Sequence, residues 1–309
     1  MQTEFGVNPR FNLLNEAGDL FPSLFLGVIM KLLIFFTLLF VGFNAYAVDP
    51  SYKLKHAAQV IESVFGDKVR IKPKSLLKFG RSEQVSNTTY TTLQNLPSGT
   101  LNETYISTNL INRISSSSGS DTEQMVIEGF VCLANGDKIF KVQSVTLAGQ
   151  TETALGVALC RATRAYNNGT NDLVGSIYIY QDDTVTAGVP DTDSLVHMIV
   201  PAGSNQSFKA STTISSKDYW LITEAAASIN TKTGSPIAEL EIQVRLNGKV
   251  FRTQAISTVA TTGSTFVSAK FDPVIIVPKN ADVRMRALGS TNGIDVSGWM
   301  NGYLAKVID

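Results

Sequence analysis

The sequence is poor in the residues that carry most enzyme chemistry. It holds two histidines and two cysteines in 309 residues, and 26 basic residues balance 26 acidic ones. Each scarcity removes a class of function. Histidine is the commonest general base near neutral pH, yet no GxSxG, HExxH or Cys/His arrangement accompanies His56 or His197. Cys132 and Cys160 lack CxxC or Cys/His spacing, which excludes the usual zinc and redox motifs. They are expected as two buried apolar residues, with a disulfide as the alternative. No GxxxxGK[ST] cradle and no GxGxxG entering a helix is present, so no nucleotide cofactor is expected. A net charge of zero provides no field to gather nucleic acid or an acidic membrane surface. Neutrality favours association instead.

What is abundant is Ser, Thr, Asn and Gly, with charged residues only 17% of the chain. A polar but uncharged surface suits packing against neighbours. The longest apolar feature comes first. Met30 to Ala47, MKLLIFFTLLFVGFNAYA, has a lysine, an apolar run from Leu32 to Phe43 and the small-residue ending Ala45-Tyr46-Ala47. That is the pattern of a secretory signal peptide, set behind 29 residues that include Asn15-Glu16-Ala17-Gly18-Asp19. Residues 1–49 therefore read as a signal, with translation starting at Met30, as a retained packing arm, or as a membrane anchor. For the last, the run from Leu24 to Val41 approaches the roughly 20 residues a span requires.

Residues 50–78 read as an amphipathic helix and a basic linker arm. Leu54, Ala57, Ala58, Ile61, Val64 and Phe65 recur at helical spacing against Lys53, Lys55, Gln59 and Glu62, and Gly66-Asp67 ends the pattern. Lys68 to Lys78 carries five lysines or arginines among Val69, Ile71, Leu76 and Leu77. Without interleaved aromatics it reads as a solvated linker or an interface strip rather than a nucleic-acid site.

From Phe79 onward helical periodicity gives way to short alternating runs separated by turn residues such as Asn135-Gly136-Asp137 and Pro201-Ala202-Gly203. The fold class is all-β, an antiparallel β-sandwich or jelly roll behind an N-terminal helical apolar arm. A polar stretch from Ser204 to Ser216 marks a boundary, giving one sandwich over 79–208 and a second over 209–309, or a single large jelly roll. The hairpin beginning at Glu239 is the sharpest local pattern. Leu240, Ile242, Val244 and Leu246 alternate with Glu239, Glu241, Gln243 and Arg245, so one face is buried and the other wet or at an interface. Asn247-Gly248 predicts a type I′ turn.

The order of segments carries a resemblance. Phe79-Gly80-Arg81 stands before a Thr-rich strand, followed by Met125-Val-Ile-Glu-Gly-Phe, Val145-Thr-Leu-Ala-Gly-Gln-Thr and Arg161 to Asn167. Gly175-Ser-Ile-Tyr-Ile-Tyr, Ile199-Val-Pro-Ala-Gly, Tyr219-Trp-Leu-Ile-Thr and Asp295-Val-Ser-Gly-Trp-Met-Asn-Gly-Tyr-Leu complete the order. Over Phe79 to Asp309 the chain resembles all-β virion structural proteins of tailed, marine podovirus-like phages. The resemblance implies a non-enzymatic head decoration, cement or fibre-base protein, with a tail or neck position as a variant. Its partners would be the major capsid protein or other virion subunits, in a homo-oligomer within the virion.

Six aromatics, Tyr178, Tyr180, Tyr219, Trp220, Trp299 and Tyr303, are candidates for core or subunit-interface contacts, or for stacking sugars if exposed on one face. Carboxylates were the remaining route to chemistry. Glu239 and Glu241 repeat like a solvated strand face, and Asp182, Asp183, Asp191 and Asp193 surround a Gly-Val-Pro turn. The four aspartates read as a loop, with a Ca²⁺ site as the weaker alternative. Two other functions stay open at this point: a secreted or periplasmic carbohydrate-binding adhesin exported by the Met30 signal, and a glycan-cleaving tail component.

Overall fold

A computed structural model describes residues 50–230, 234–260 and 265–308. The apolar run before Pro50 lies outside them, and with it the choice among signal, arm and anchor. Among the described residues, no helix is long and apolar enough to cross a membrane. Lys53–Asp309 forms one compact unit.

Among the described residues the one long helix is α1 (Pro50–Phe65). Gly66 ends it with a φ of +72° and donates its N–H to the Glu62 carbonyl at 3.0 Å, a left-handed C-cap. The buried face is narrower than the periodicity implied: Ala57 and Ile61 are buried, while Val64 and Phe65 stay exposed.

The strands of the first half are β1 (Val69–Val85), β2 (Thr91–Thr92), β3 (Ile111–Ser116), β4 (Gln124–Cys132), β5 (Lys138–Thr146) and β6 (Thr153–Leu159). Then come β7 (Arg161–Asn167), β8 (Ile177–Gln181), β9 (Val185–Thr186), β10 (Val189–Pro190) and β11 (Val196–Val200). The last are β12 (Ser211–Thr213), β13 (Asp218–Ile229), β14 (Ile237–Arg245), β15 (Arg252–Ala260), β16 (Phe266–Val277), β17 (Asp282–Gly289) and β18 (Ile294–Val307). Every pairing between them is antiparallel.

Strands β2 and β12 are two pieces of one broken strand. On β17, Thr213, Thr212 and Ser211 pair with Asp282, Val283 and Arg284, and Thr92 and Thr91 take up Arg286 and Ala287. Between them Met285 donates its N–H to Ala210 and accepts from Leu93. Counting the pieces as one, eight strands form two sheets, β1-β18-β13-β16 and (β2, β12)-β17-β14-β15. In chain order these are the first, eighth, third and sixth strands facing the second, seventh, fourth and fifth. That is the double Greek key of a jelly roll. Trp220, Ile222, Leu240, Ile242, Val283, Met285, Val296 and Met300 lie in its core.

The chain leaves the jelly roll in the middle of the broken strand, builds a second sandwich and returns. That insertion pairs β11-β8-β3-β6 against β5-β4-β7 over a core that includes Ile114, Met125, Ile127, Leu159, Ile179 and Met198.

Several expectations need correction. Lys68–Lys78 is no linker: it lies in β1, paired to β18 from Val69↔Val307 onward, and Pro73 falls within a register shift where the ladder needs no N–H. Residues 69–92 thus pair with strands of the jelly roll rather than with the 111–200 sandwich. Cys132 and Cys160 form a disulfide, with Cα atoms 5.8 Å apart, because β4 and the start of β7 are neighbours. The β14–β15 loop spans residues 246–251 and has positive φ only at Gly248, not the pair a type I′ turn requires. The polar face of β14 is not wet, since Glu241 and Gln243 are both buried.

Candidate functional site

The strand that breaks at Leu93 and Ala210 brings the two sandwiches together across a layer of charge. Asp282, at the start of β17, is its centre. Its Oδ1 accepts from Thr213 Oγ1 at 2.7 Å and from Arg161 Nε at 3.0 Å, and its Oδ2 accepts from Arg245 Nη2 at 2.5 Å. Lys138 Nζ lies 3.9 Å away. Burial pushes the Asp282 pKa up, but Arg161, Lys138 and Arg245 outweigh it and hold the carboxyl below its usual value. Burial conversely lowers Lys138. The Tyr105 ring lies under the guanidinium groups of Arg161 and Arg245, 4.9 and 4.4 Å from its centroid. A cleft of about 340 Å³ opens here, lined by Tyr105, Lys138, Arg161, Arg245 and Asn247.

A second buried pair lies nearby. Lys209 donates to Glu103 Oε1 at 2.6 Å with side chains only 3% and 2% exposed, and Ser211 Oγ donates to the other oxygen at 2.9 Å. Breaking one partner of such a pair costs several kcal/mol, because an uncompensated charge is left inside. Beyond these pairs, Arg161 also donates to the Ile106 and Cys160 carbonyls, Lys138 to Asn247 and the Asn280 carbonyl, and Lys209 to the His197 carbonyl. Chemically the arrangement ties the two sandwiches together in one register.

Sheet (β2, β12)-β17-β14-β15 extends the same layer outward. Arg286 Nε donates to Glu241 at 2.7 Å, Arg284 donates to Gln243, and Tyr90 donates to Glu239. Phe251 stacks under Arg284 and Arg245, and Tyr90 under Arg286. Glu239 and Glu241 are therefore structural partners of arginines and a tyrosine.

His197, on β11, is 1% exposed and shares a hydrogen bond of 2.9 Å between its Nε2 and Gln181. Burial lowers its pKa to about 4, against a raising effect of Glu103. His56 lies exposed on α1. The four aspartates do not converge. Asp182 pairs with Arg113 at 2.9 Å, and Asp183 accepts from the Thr184 and Thr192 N–H groups to clasp its own loop. Asp191 and Asp193 stand exposed. Among the described residues, no group of three His, Cys, Asp or Glu could hold a metal ion.

The six aromatic candidates divide. Tyr180, Tyr219 and Trp220 are fully buried and are core residues of this chain, not interface residues. Tyr219 donates to Asp67 at 2.5 Å, and burial with that carboxylate raises its pKa. Tyr178, Trp299 and Tyr303 are partly exposed. Sequence reasoning missed the company Trp299 keeps: Phe79, Phe208 and Phe266 line one groove with it. It also missed an apolar strip on the edge strand β5, where Ile139, Phe140 and Val142 are exposed beside Val157 of β6. The alternation of β5 alone gives no sign that both its faces meet solvent.

No protein family matches the chain. No curated protein is significantly similar to it. Among solved structures it is similar to the structure of infectious bursal disease virus, Gx strain, at 8% identity over 78% of this chain and 74% of that chain, with a TM-score of 0.22. It is likewise similar to the VP2 subviral particle of infectious bursal disease virus at 10% identity over 77% and 72%, with a TM-score of 0.20. At such scores the superposition carries no argument about function.

Proposed function

We propose that the chain is a non-enzymatic structural protein of a virus particle, a decoration, cement or fibre-base component of a tailed phage. The sheet order β1-β18-β13-β16 over (β2, β12)-β17-β14-β15 carries this reading, because the jelly roll is the architecture of viral capsid domains, shared with lectins and cupins. The exposed apolar strip of β5 and the neutral net charge support contact with neighbouring subunits. The mechanism is mechanical. Contacts that exist only in the assembled lattice stabilise it by linkage, and many symmetric copies make weak contacts collectively strong. Mixing the purified protein with undecorated heads is expected to give stoichiometric binding and a higher melting temperature for the particle. Absence of binding to heads and tails alike removes the reading.

A second reading, an exported adhesin, draws on the Cys132–Cys160 disulfide, a bond of oxidising surroundings that also persists on virion surfaces. The mature amino terminus separates the two. A chain beginning at Val48 supports export, and an intact terminus within a particle supports the virion.

A further inference from the structure

The outer face of sheet β1-β18-β13-β16 has two halves. Helix α1 covers one, packing Leu54, Ala57 and Ile61 over Tyr219, Leu221, Val274 and Ala305. The other half carries an aromatic groove. Phe79 pairs with Trp299 across β1 and β18, and both rings line the groove. Phe208 meets Phe79 with ring centroids 6.0 Å apart and extends one wall. Phe266, next to Ser228 across β13 and β16, forms the other. The volume is about 220 Å³, below the roughly 300 Å³ at which drug-sized pockets begin, and suits one six-membered ring.

Polar groups gather at one end. Arg81 grips Asp295 with two hydrogen bonds of 2.9 and 2.6 Å, and Glu83 lies 3.1 Å from the same guanidinium. Asn230 donates to Asp295 at 3.2 Å and to Ser297 at 2.6 Å, and Ser228 donates to Asn230 at 3.1 Å. These side chains hold one another in place, so a ligand that hydrogen-bonds to them meets a set already oriented.

We propose that this groove binds a neutral hexose residue of a glycan. A sugar ring has an apolar C–H face, which an aromatic ring covers, and a rim of hydroxyls that both donate and accept; Trp299 and the Arg81, Asp295, Asn230 and Ser297 set supply the two complements in adjacent positions. An apolar segment or a second copy laid over the groove would strip water from Arg81, Glu83 and Asn230 without replacing their hydrogen bonds, a loss of about 1–3 kcal/mol for each unsatisfied group. An anion finds no excess of positive charge, since Arg81 is matched by Asp295 and Glu83. The groove would bind sugar whether or not the chain belongs to a virus particle, and particle association is measured separately.

The test titrates the full chain with glucose, galactose, mannose and N-acetylglucosamine, with glucuronate and inorganic phosphate as anionic probes, and screens it on an array of neutral and acidic glycans. Trp220 is fully buried, so a change in tryptophan emission reports on Trp299. Saturable binding of at least one neutral sugar is expected, weakened at least tenfold in Trp299→Ala and in Phe266→Ala. The second variant removes a half-exposed ring and guards against loss of folding in the first. The proposal is overturned if no neutral glycan binds, if both variants bind like the parent, or if glucuronate or phosphate binds more tightly than every neutral sugar.

Discussion

The jelly roll and the sandwich inserted into it solve the same packing problem by different means. The jelly roll uses long strands, up to 17 residues in β1 and 14 in β18, and has no cysteine. It covers part of the outside of one sheet with arginines laid between carboxylates and aromatic rings, and half of the other with α1. The inserted sandwich uses strands of five to nine residues for its two main sheets, closes with a disulfide, and leaves the apolar edge of β5 open. The difference separates a scaffold whose outer faces are partly covered by its own side chains and by α1, with the aromatic groove left open, from a module that leaves an apolar strand edge open.

The largest test of that division is its seam. Asp282→Asn leaves buried Arg161 and Lys138 and half-buried Arg245 around a neutral amide, and a loss of roughly 3–5 kcal/mol is expected from breaking a buried ionic set. Chemical denaturation is expected to split from one transition into two as the sandwiches lose their common register. A single transition shifted by less than about 1 kcal/mol would show that apolar contacts, and not this carboxylate, couple the halves.

Why the seam is hidden in the sequence follows from its distances along the chain. Asp282 draws on Arg245, Arg161 and Lys138, 37 to 144 positions away, and each looks like an ordinary surface charge in its own strand. The helix was legible because apolar spacing and Gly66 act locally, and the 240, 242, 244 alternation was legible for the same reason. The face opposite was misread: Glu241, Gln243 and Arg245 have the polarity of a wet face but meet Arg284, Arg286 and Asp282 of β17. Pieces of two and three residues, β2 and β12, are too short to carry any period, so the break that admits the insertion had no signature. The lysines of β1 outweighed the alternation of Val69 and Ile71.

The disulfide tests the inserted sandwich next. It links residues 28 positions apart, and Cys132→Ser with Cys160→Ser is expected to cost about 3–4 kcal/mol by chain entropy. Hydrogen exchange should quicken in β4 and β7 and leave β13, β14 and β18 near their parent rates. Equal acceleration in both sandwiches would deny that they are separate units of stability.

Acid offers a slightly smaller effect. The His197 pKa falls from 6.5 to about 4 in the fold, chiefly through burial, opposed by Glu103 and reinforced by Lys209 and Arg161. The unfolded chain therefore takes up the proton first. Stability is complete above pH 6.5 and is lost as pH falls toward 4, by about 3 kcal/mol. Asp282, held low against its burial by Arg161, Lys138 and Arg245, yields its contribution only at still lower pH. In His197→Gln the slope between pH 6.5 and 4 should flatten; an unchanged slope would assign it to another group.

The smallest effect on stability is expected at the open edge. Val142 on β5 is 57% exposed and pairs across the strands with Glu128. Val142→Lys places an opposite charge beside that glutamate, so the folded chain should change by no more than about 0.5 kcal/mol. The same substitution sets a solvated ammonium beside exposed Phe140, two residues away on the same face of β5. If that face of β5 is where the module meets its neighbours, a variant that melts like the parent will bind heads at least tenfold more weakly, because a buried interface must then desolvate the added charge. Parent-like binding would move the contact away from β5 and return the search to the jelly roll, where Ile256 of β15 and Phe266 of β16 are also exposed.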